Sequence, residues 1–196
     1  TGGMGAVSPV NFYDKEFEKK VENRIIKRTI EGLKKDNIPF KGFLFIGLMN
    51  VNGDPFVIEY NVRFGDPECQ VLMMLLKSEL YPLLKSVAEG NLGEQPDPEF
   101  HDGSALTVVM CSEGYPEKYE KGHEIYGLEE HDDKSKIFHA GTRWERDKCF
   151  TDGGRVLNVT ARGFTLQDAR ERAYKTVEQI SWNGSFYRKD IGHEKI

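Results

Sequence analysis

The dipeptide Asn52-Gly53, set between two apolar runs, constrains this chain more than any other feature. Asn and Gly both tolerate positive φ, the requirement of a tight two-residue turn, so the sequence predicts a β-hairpin here. Its first strand is expected within Phe40–Val51, a stretch rich in Phe, Leu and Ile, and its second within Phe56–Phe64. Alternate side chains on a strand share a face. Glu59, Asn61 and Arg63 are therefore expected on one face, with Ile58, Tyr60, Val62 and Phe64 pointing the other way into a core. A carboxylate, an amide and a guanidinium in one row can serve as an ordinary solvated face. They can equally offer hard oxygens to a divalent cation and a planar cation to a phosphate.

Helices are expected on either side of the hairpin. Asp14 can cap a helix running to about Lys35, with Phe17, Val21, Ile25, Ile26, Ile30 and Leu33 as its core stripe. After the hairpin, Gly65-Asp66-Pro67-Glu68 breaks the strand and opens a helix, with Asp66 suited to the N-cap and Pro67 to the first helical position. The N–H groups at such a helix start form a ready anion site. A further short helix is expected over 79–90. Residues 93–103, with Gly93, Pro96, Pro98 and Gly103, read as a linker.

Beyond the linker the pattern changes to short strands: 105–111, near 124–127, 136–140 and 149–151, and 156–162. A helix follows, opened by a Thr165/Asp168 capping box and carrying Leu166, Ala169, Ala173, Val177 and Ile180 on one face. The tail from Trp182 is expected to pack back on the sheet. The fold class is thus α+β: an antiparallel sheet with helices over 1–92, then a small sheet-rich domain over 104–196.

A net charge of −5, with 38% hydrophobic and 30% charged residues, fits a globular protein and disfavours a general nucleic-acid binder. No apolar run is long enough to span a bilayer. Cys69, Cys111 and Cys149 are scattered and odd in number, which suggests free thiols in a reducing cytoplasm. The five histidines lack ligand spacing, and the acidic run Glu129–Asp133 reads as a solvated turn. Nothing here specifies an oligomeric state.

Glu59-x-Asn61-x-Arg63, following Gly42–Met49, resembles the metal-binding hairpin of the ATP-grasp superfamily. The longer string EYNVRFGDPE, with TGGMGAVSP at the start, resembles the glycinamide ribonucleotide synthetase family. The likeness continues through Val156–Gly163 and Phe186–Gly192, so it covers nearly the whole chain in order. The resemblance implies the C-terminal portion of an ATP-grasp ligase. The family joins glycine to 5-phosphoribosylamine through a glycyl phosphate, consuming ATP, in purine biosynthesis. It further implies Glu59 and Asn61 as ligands of Mg2+ (or Mn2+) and Arg63 beside the ATP phosphates. Arg63, Asp66 and Glu68 would lie at the reacting centre, with the two carboxylates steering the amine. Thr1, Gly2, Gly3, Met4 and Gly5 match the family's glycine-rich substrate loop.

One position departs from the wider superfamily. A second acidic metal ligand common on the first hairpin strand is replaced here, near Gly47, by a residue without a carboxylate. No counterpart of an N-terminal domain or a nucleotide-binding lobe is found either, so the chain is expected to be a fragment that does not turn over alone. Two alternatives stay open: another ATP-grasp carboxylate–amine ligase of purine biosynthesis, or a degenerate, non-catalytic module.

Overall fold

A computed structural model describes residues 2–129 and 133–193. Thr1 and most of the acidic run, residues 130–132, lie outside the described residues.

The elements, in chain order, are β1 (Gly5–Ser8), α1 (Lys15–Val21), a π-helical turn (Glu22–Ile26), α2 (Lys27–Lys35), β2 (Phe45–Val51) and β3 (Asp54–Asn61). Then come α3 (Glu68–Leu75), α4 (Leu80–Glu89), a 3-10 turn (Leu92–Glu94), β4 (Ser104–Ser112), β5 (Ser135–His139), β6 (Thr142–Glu145) and β7 (Lys148–Thr151). The chain closes with β8 (Arg155–Gly163), α5 (Leu166–Val177) and β9 (Ser185–Phe186). The class is α+β, with antiparallel pairing throughout. Residues 1–8, 66–77 and 100–196 form one compact unit, and 9–65 with 78–99 form the other. The larger unit is therefore discontinuous in sequence and draws two early segments onto the later sheet.

In the larger unit the sheet order is β1-β4-β8-β5, with β9 also pairing β4. From the sequence alone residues 1–10 read as loop, but in the fold they contain a strand: Gly5–Ser8 pairs with Ala105–Val108. Local polarity and glycine content concealed it, because its pairing partner lies a hundred residues downstream. Likewise 124–127 forms only single bridges, to Phe150 and Ser181, rather than a strand. β7 matches the strand expected near 149–151, whereas its partner β6 does not correspond to an expected strand; the hairpin they form turns through Arg146 and Asp147, both at positive φ.

Leu106, Val108, Met110, Leu157 and Val159 line one face of the sheet and pack with Ala169, Ala173 and Val177 of α5. The Thr165/Asp168 capping box forms as expected, each residue serving the other's backbone N–H. The other face packs Ala105 against Val71 and Leu75 of α3. The tail returns to the sheet through β9 and is held by Tyr174, whose hydroxyl donates to the Arg188 carbonyl at 2.6 Å and accepts from the Ile191 N–H.

In the smaller unit Asp14 caps α1, its Oδ1 accepting from the Glu16 and Phe17 N–H groups. Phe17, Val21 and Ile25 are buried, but Ile26 and Ile30 are 38% and 45% exposed. The π turn inserts extra backbone per turn, so the stripe no longer stays on one side. Ile26, Ile30 and Leu33 instead line an apolar cavity of about 670 Å3 with Leu44 and Ile46. Asp54 at the hairpin is gripped by Arg24 at 2.8 Å and Lys20 at 3.3 Å, which hold its carboxyl below the usual carboxylate range.

All three cysteines are free thiols. Burial pushes Cys111 up to about 11, against the opposing effect of Arg155, and raises Cys69 and Cys149 as well. Cys111 and Cys149 are buried, whereas Cys69 is only half-buried. Iodoacetamide at neutral pH is therefore expected to label Cys69 first and the other two only after denaturation. Peptide mass spectrometry over a time course checks the order; early labelling of Cys111 would contradict it.

Candidate functional site

The hairpin turns at Asn52 and Gly53, at φ of 53° and 83°, the geometry the Asn-Gly pair was expected to supply. β2 and β3 pair from Val51↔Asp54 to Phe45↔Asn61, with a bulge between Gly47 and Leu48. Regular pairing stops at Asn61, so Arg63 lies just beyond the strand. The row nevertheless forms. The Asn61 amide Nδ2 donates to Glu59 Oε1 at 3.0 Å, and Arg63 Nη2 donates to Asn61 Oδ1 at 3.1 Å. Arg63 Nη1 also donates to the Phe64 carbonyl at 2.7 Å. Three consecutive same-face side chains are thus linked head to tail, with Glu59 and Arg63 exposed.

The opposite face differs from expectation. Ile58, Tyr60 and Val62 are 61%, 47% and 74% exposed rather than core residues. A two-stranded hairpin has only one layer, and α2, through Thr29 and the cavity that Ile26 and Ile30 share with Ile46, covers that face only in part. Tyr60 and Phe64 find partners: the Tyr60 hydroxyl shares a hydrogen bond with the Thr29 hydroxyl at 3.0 Å, and the Phe64 ring lies 3.8 Å from that of Phe43.

Gly47 sits directly opposite Glu59. A Cβ there would lie 3.1 Å from Glu59 Cγ, so the glycine leaves the carboxylate room to stand across the strand pair. The donor set suits a small hard cation. Glu59 and Asn61 supply carboxylate and amide oxygens, and Mg2+ characteristically takes one or two protein oxygens and fills its shell with water and phosphate. Among the described residues, no group of three or more His, Cys, Asp or Glu side chains is placed to hold a metal. A cation held here would therefore depend on its ligand's own oxygens.

The remaining predicted residues belong to the larger unit. Asp66 does not cap α3: the N-cap is Pro67, without a side-chain bond, and the Asp66–Pro67 peptide is cis. The Asp66 carboxylate is engaged elsewhere, Oδ2 by Arg155 at 2.9 Å and Oδ1 by Gln70 at 3.3 Å. Glu68 is the first residue of α3, where a carboxylate is favoured by the helix dipole.

In the glycine-rich loop, Met4 is buried against Val109 and Cys111, and its carbonyl accepts from the Val109 N–H at 3.2 Å. Gly5 pairs with Val108, and a Cβ on it would collide with Ile191 at 2.6 Å. Met4 and Gly5 therefore anchor the loop; a Cβ on Gly2 would meet nothing within 4 Å, and one on Gly3 would lie 2.9 Å from Arg155 Nη1. Thr1 lies outside the described residues.

Arg155 is not singled out by the sequence: the family-like string begins at Val156, Arg155 carries no periodicity signal, and its neighbours Gly153-Gly154 are the local hint.

Two family models match the chain: "Phosphoribosylglycinamide synthetase, ATP-grasp (A) domain" over residues 1–69 and "Phosphoribosylglycinamide synthetase, C domain" over 105–194. Phosphoribosylamine–glycine ligases of Rhizobium meliloti and Agrobacterium fabrum are 49% and 47% identical over the whole chain, which spans 46% of each. The trifunctional purine biosynthetic protein adenosine-3 of Gallus gallus is 45% identical, and the chain covers 20% of it. The crystal structure of phosphoribosylamine–glycine ligase from Thermotoga maritima superposes with a TM-score of 0.81 at 36% identity, over 95% of this chain and 46% of that one. A biotin carboxylase domain from Hydrogenobacter thermophilus, solved with MgADP and bicarbonate, shares the fold at a TM-score of 0.64 and 14% identity. The chain spans about half the length of the single-function ligases it matches.

Proposed function

As a member of the phosphoribosylglycinamide synthetase family, this chain, we propose, carries part of the site that ligates glycine to 5-phosphoribosylamine at the expense of ATP, giving glycinamide ribonucleotide. The observation that carries this reading is the linked row of Glu59, Asn61 and Arg63. Glu59 and Asn61 would hold Mg2+ (or Mn2+), and Arg63 would hold a phosphate oxygen of ATP in its planar fork. When bound, the cation neutralises charge on the transferring phosphoryl group.

The residues' own contribution is placement. Asn61 Oδ1 now accepts from Arg63; turned to a cation, it releases the guanidinium for a phosphate. Transfer of phosphoryl to the glycine carboxylate gives a glycyl phosphate. Attack by the amine on its carbonyl carbon forms the amide and expels phosphate. Gly2 and Gly3, without side chains, permit close approach of a substrate to the backbone. Glu68 and Asp66 offer carboxylates that orient the amine, Asp66 within its bonds to Arg155 and Gln70. Free thiols fit a reducing compartment such as the cytoplasm, and no described helix is long and apolar enough to cross a membrane.

The test uses the full-length protein that contains this chain. ADP release is expected only with ATP, Mg2+, glycine and phosphoribosylamine together. Bicarbonate or formate in place of glycine should not support it. ADP release with either, and none with glycine, would assign a different ATP-grasp ligase and sink this reading.

A further inference from the structure

We propose that Arg155 is a positioning residue, which locks the glycine-rich loop at Gly3 to the Asp66 segment so that both present their groups in one fixed frame. This rests on the reading above of what those two segments do.

One guanidinium meets three acceptors. Nη1 donates to the Gly3 carbonyl at 3.2 Å and to the Asp66 carbonyl at 2.9 Å, and Nη2 donates to Asp66 Oδ2 at 2.9 Å. Arg155 stands 152 residues from Gly3 and 89 from Asp66 in sequence, so the contact exists only in the fold. Two of the three acceptors are main-chain carbonyls. The contact therefore sets the backbone path of the loop and of the approach to α3, as well as a side-chain rotamer.

The guanidinium is itself well placed to hold them. Arg155 opens β8 and is paired in register with Cys111 of β4. Cys111 packs with the buried Met4 that follows Gly3. The side chain is only 28% exposed, which limits competition by water. Gln70 braces the second Asp66 oxygen.

Gly3 is fitted to the same contact. It sits at φ +76°, and a Cβ would lie 2.9 Å from Nη1. Any other residue would both strain the backbone and displace the guanidinium. A lysine could not replace the arginine, because a single ammonium lacks the rigid fork that spans three acceptors.

The test uses the full-length protein with Arg155→Ala and Arg155→Lys. Arg155→Ala is expected to raise the KM for glycine at least about tenfold while the KM for ATP moves less than about twofold, as expected when only positioning of one substrate is lost. Added guanidinium ion should lower the raised KM, and ammonium should not. Arg155→Lys should resemble the alanine variant. Hydrogen exchange should rise at residues 2–6 and 64–69 together in both variants. Parallel increases in both KM values, full activity in Arg155→Lys, or unchanged exchange in either segment would overturn the proposal. If the alanine variant fails to fold, the lysine variant carries the same readouts. Absence of glycine-dependent ATP consumption in the unsubstituted protein would sink the functional reading instead, and the exchange measurement still decides the lock.

Discussion

Glu59→Gln is expected to lower glycine-dependent ADP release by about 10²–10³-fold, the scale on which removal of one preorganised electrostatic group slows a reaction. The substitution is nearly isosteric. A glutamine carbonyl can still accept from Asn61 Nδ2, which now reaches Glu59 Oε1 at 3.0 Å, so the row should keep its geometry. What is lost is the negative charge that draws in a hard cation. The deficit should therefore shrink as Mg2+ is raised, and half-maximal activity should need more of it. Initial rates over a Mg2+ titration, with circular dichroism to confirm the fold, check both points. An unchanged rate at limiting Mg2+ would remove Glu59 from the metal site.

Leu157→Ala is expected to cost about 3 kcal/mol, near the middle of the range for large-to-small substitutions in a closed core. Leu157 is fully buried on a central strand of the larger unit and packs with the α5 residues. Neighbours fixed by strand pairing on both sides, to Met110 and to His139, cannot collapse into the space. The melting temperature of this unit should fall by roughly 10 °C. Val62→Ser is the contrast: at 74% exposure, the change should stay within about 0.5 kcal/mol in this chain. Thermal and denaturant unfolding of both variants measures the difference. Equal losses would mean that the hairpin's outer face is packed after all.

That contrast marks where periodicity misleads. Alternation along β3 correctly placed Glu59, Asn61 and Arg63 on one face, because the pleat fixes side-chain direction locally. The same alternation assigned Ile58, Tyr60 and Val62 to a core. Direction along a strand does not say how fully another layer covers the face it points to, and here α2 reaches Tyr60 through Thr29 but leaves Ile58 and Val62 mostly exposed. The helix 15–35 shows the same limit. Its existence and its Asp14 cap are local properties, but the π turn at Glu22–Ile26 rotates the later apolar residues away from the buried stripe.

The sequence by itself determined the α+β class, the Asn52-Gly53 turn, the Thr165/Asp168 capping box, and the order of motifs that marks the family. Each of these depends on neighbours a few residues apart, or on a string read directly. Only the tertiary structure decided that residues 5–8 are a strand of the later sheet, that Asp66 is held rather than capping, and that Arg155 joins it to Gly3. Those contacts link segments far apart in sequence, 89 residues for Asp66 and Arg155 and 152 for Gly3 and Arg155. No local pattern records them, because a hydrogen bond of that span is specified by how the sheet assembles and not by the residues on either side of it.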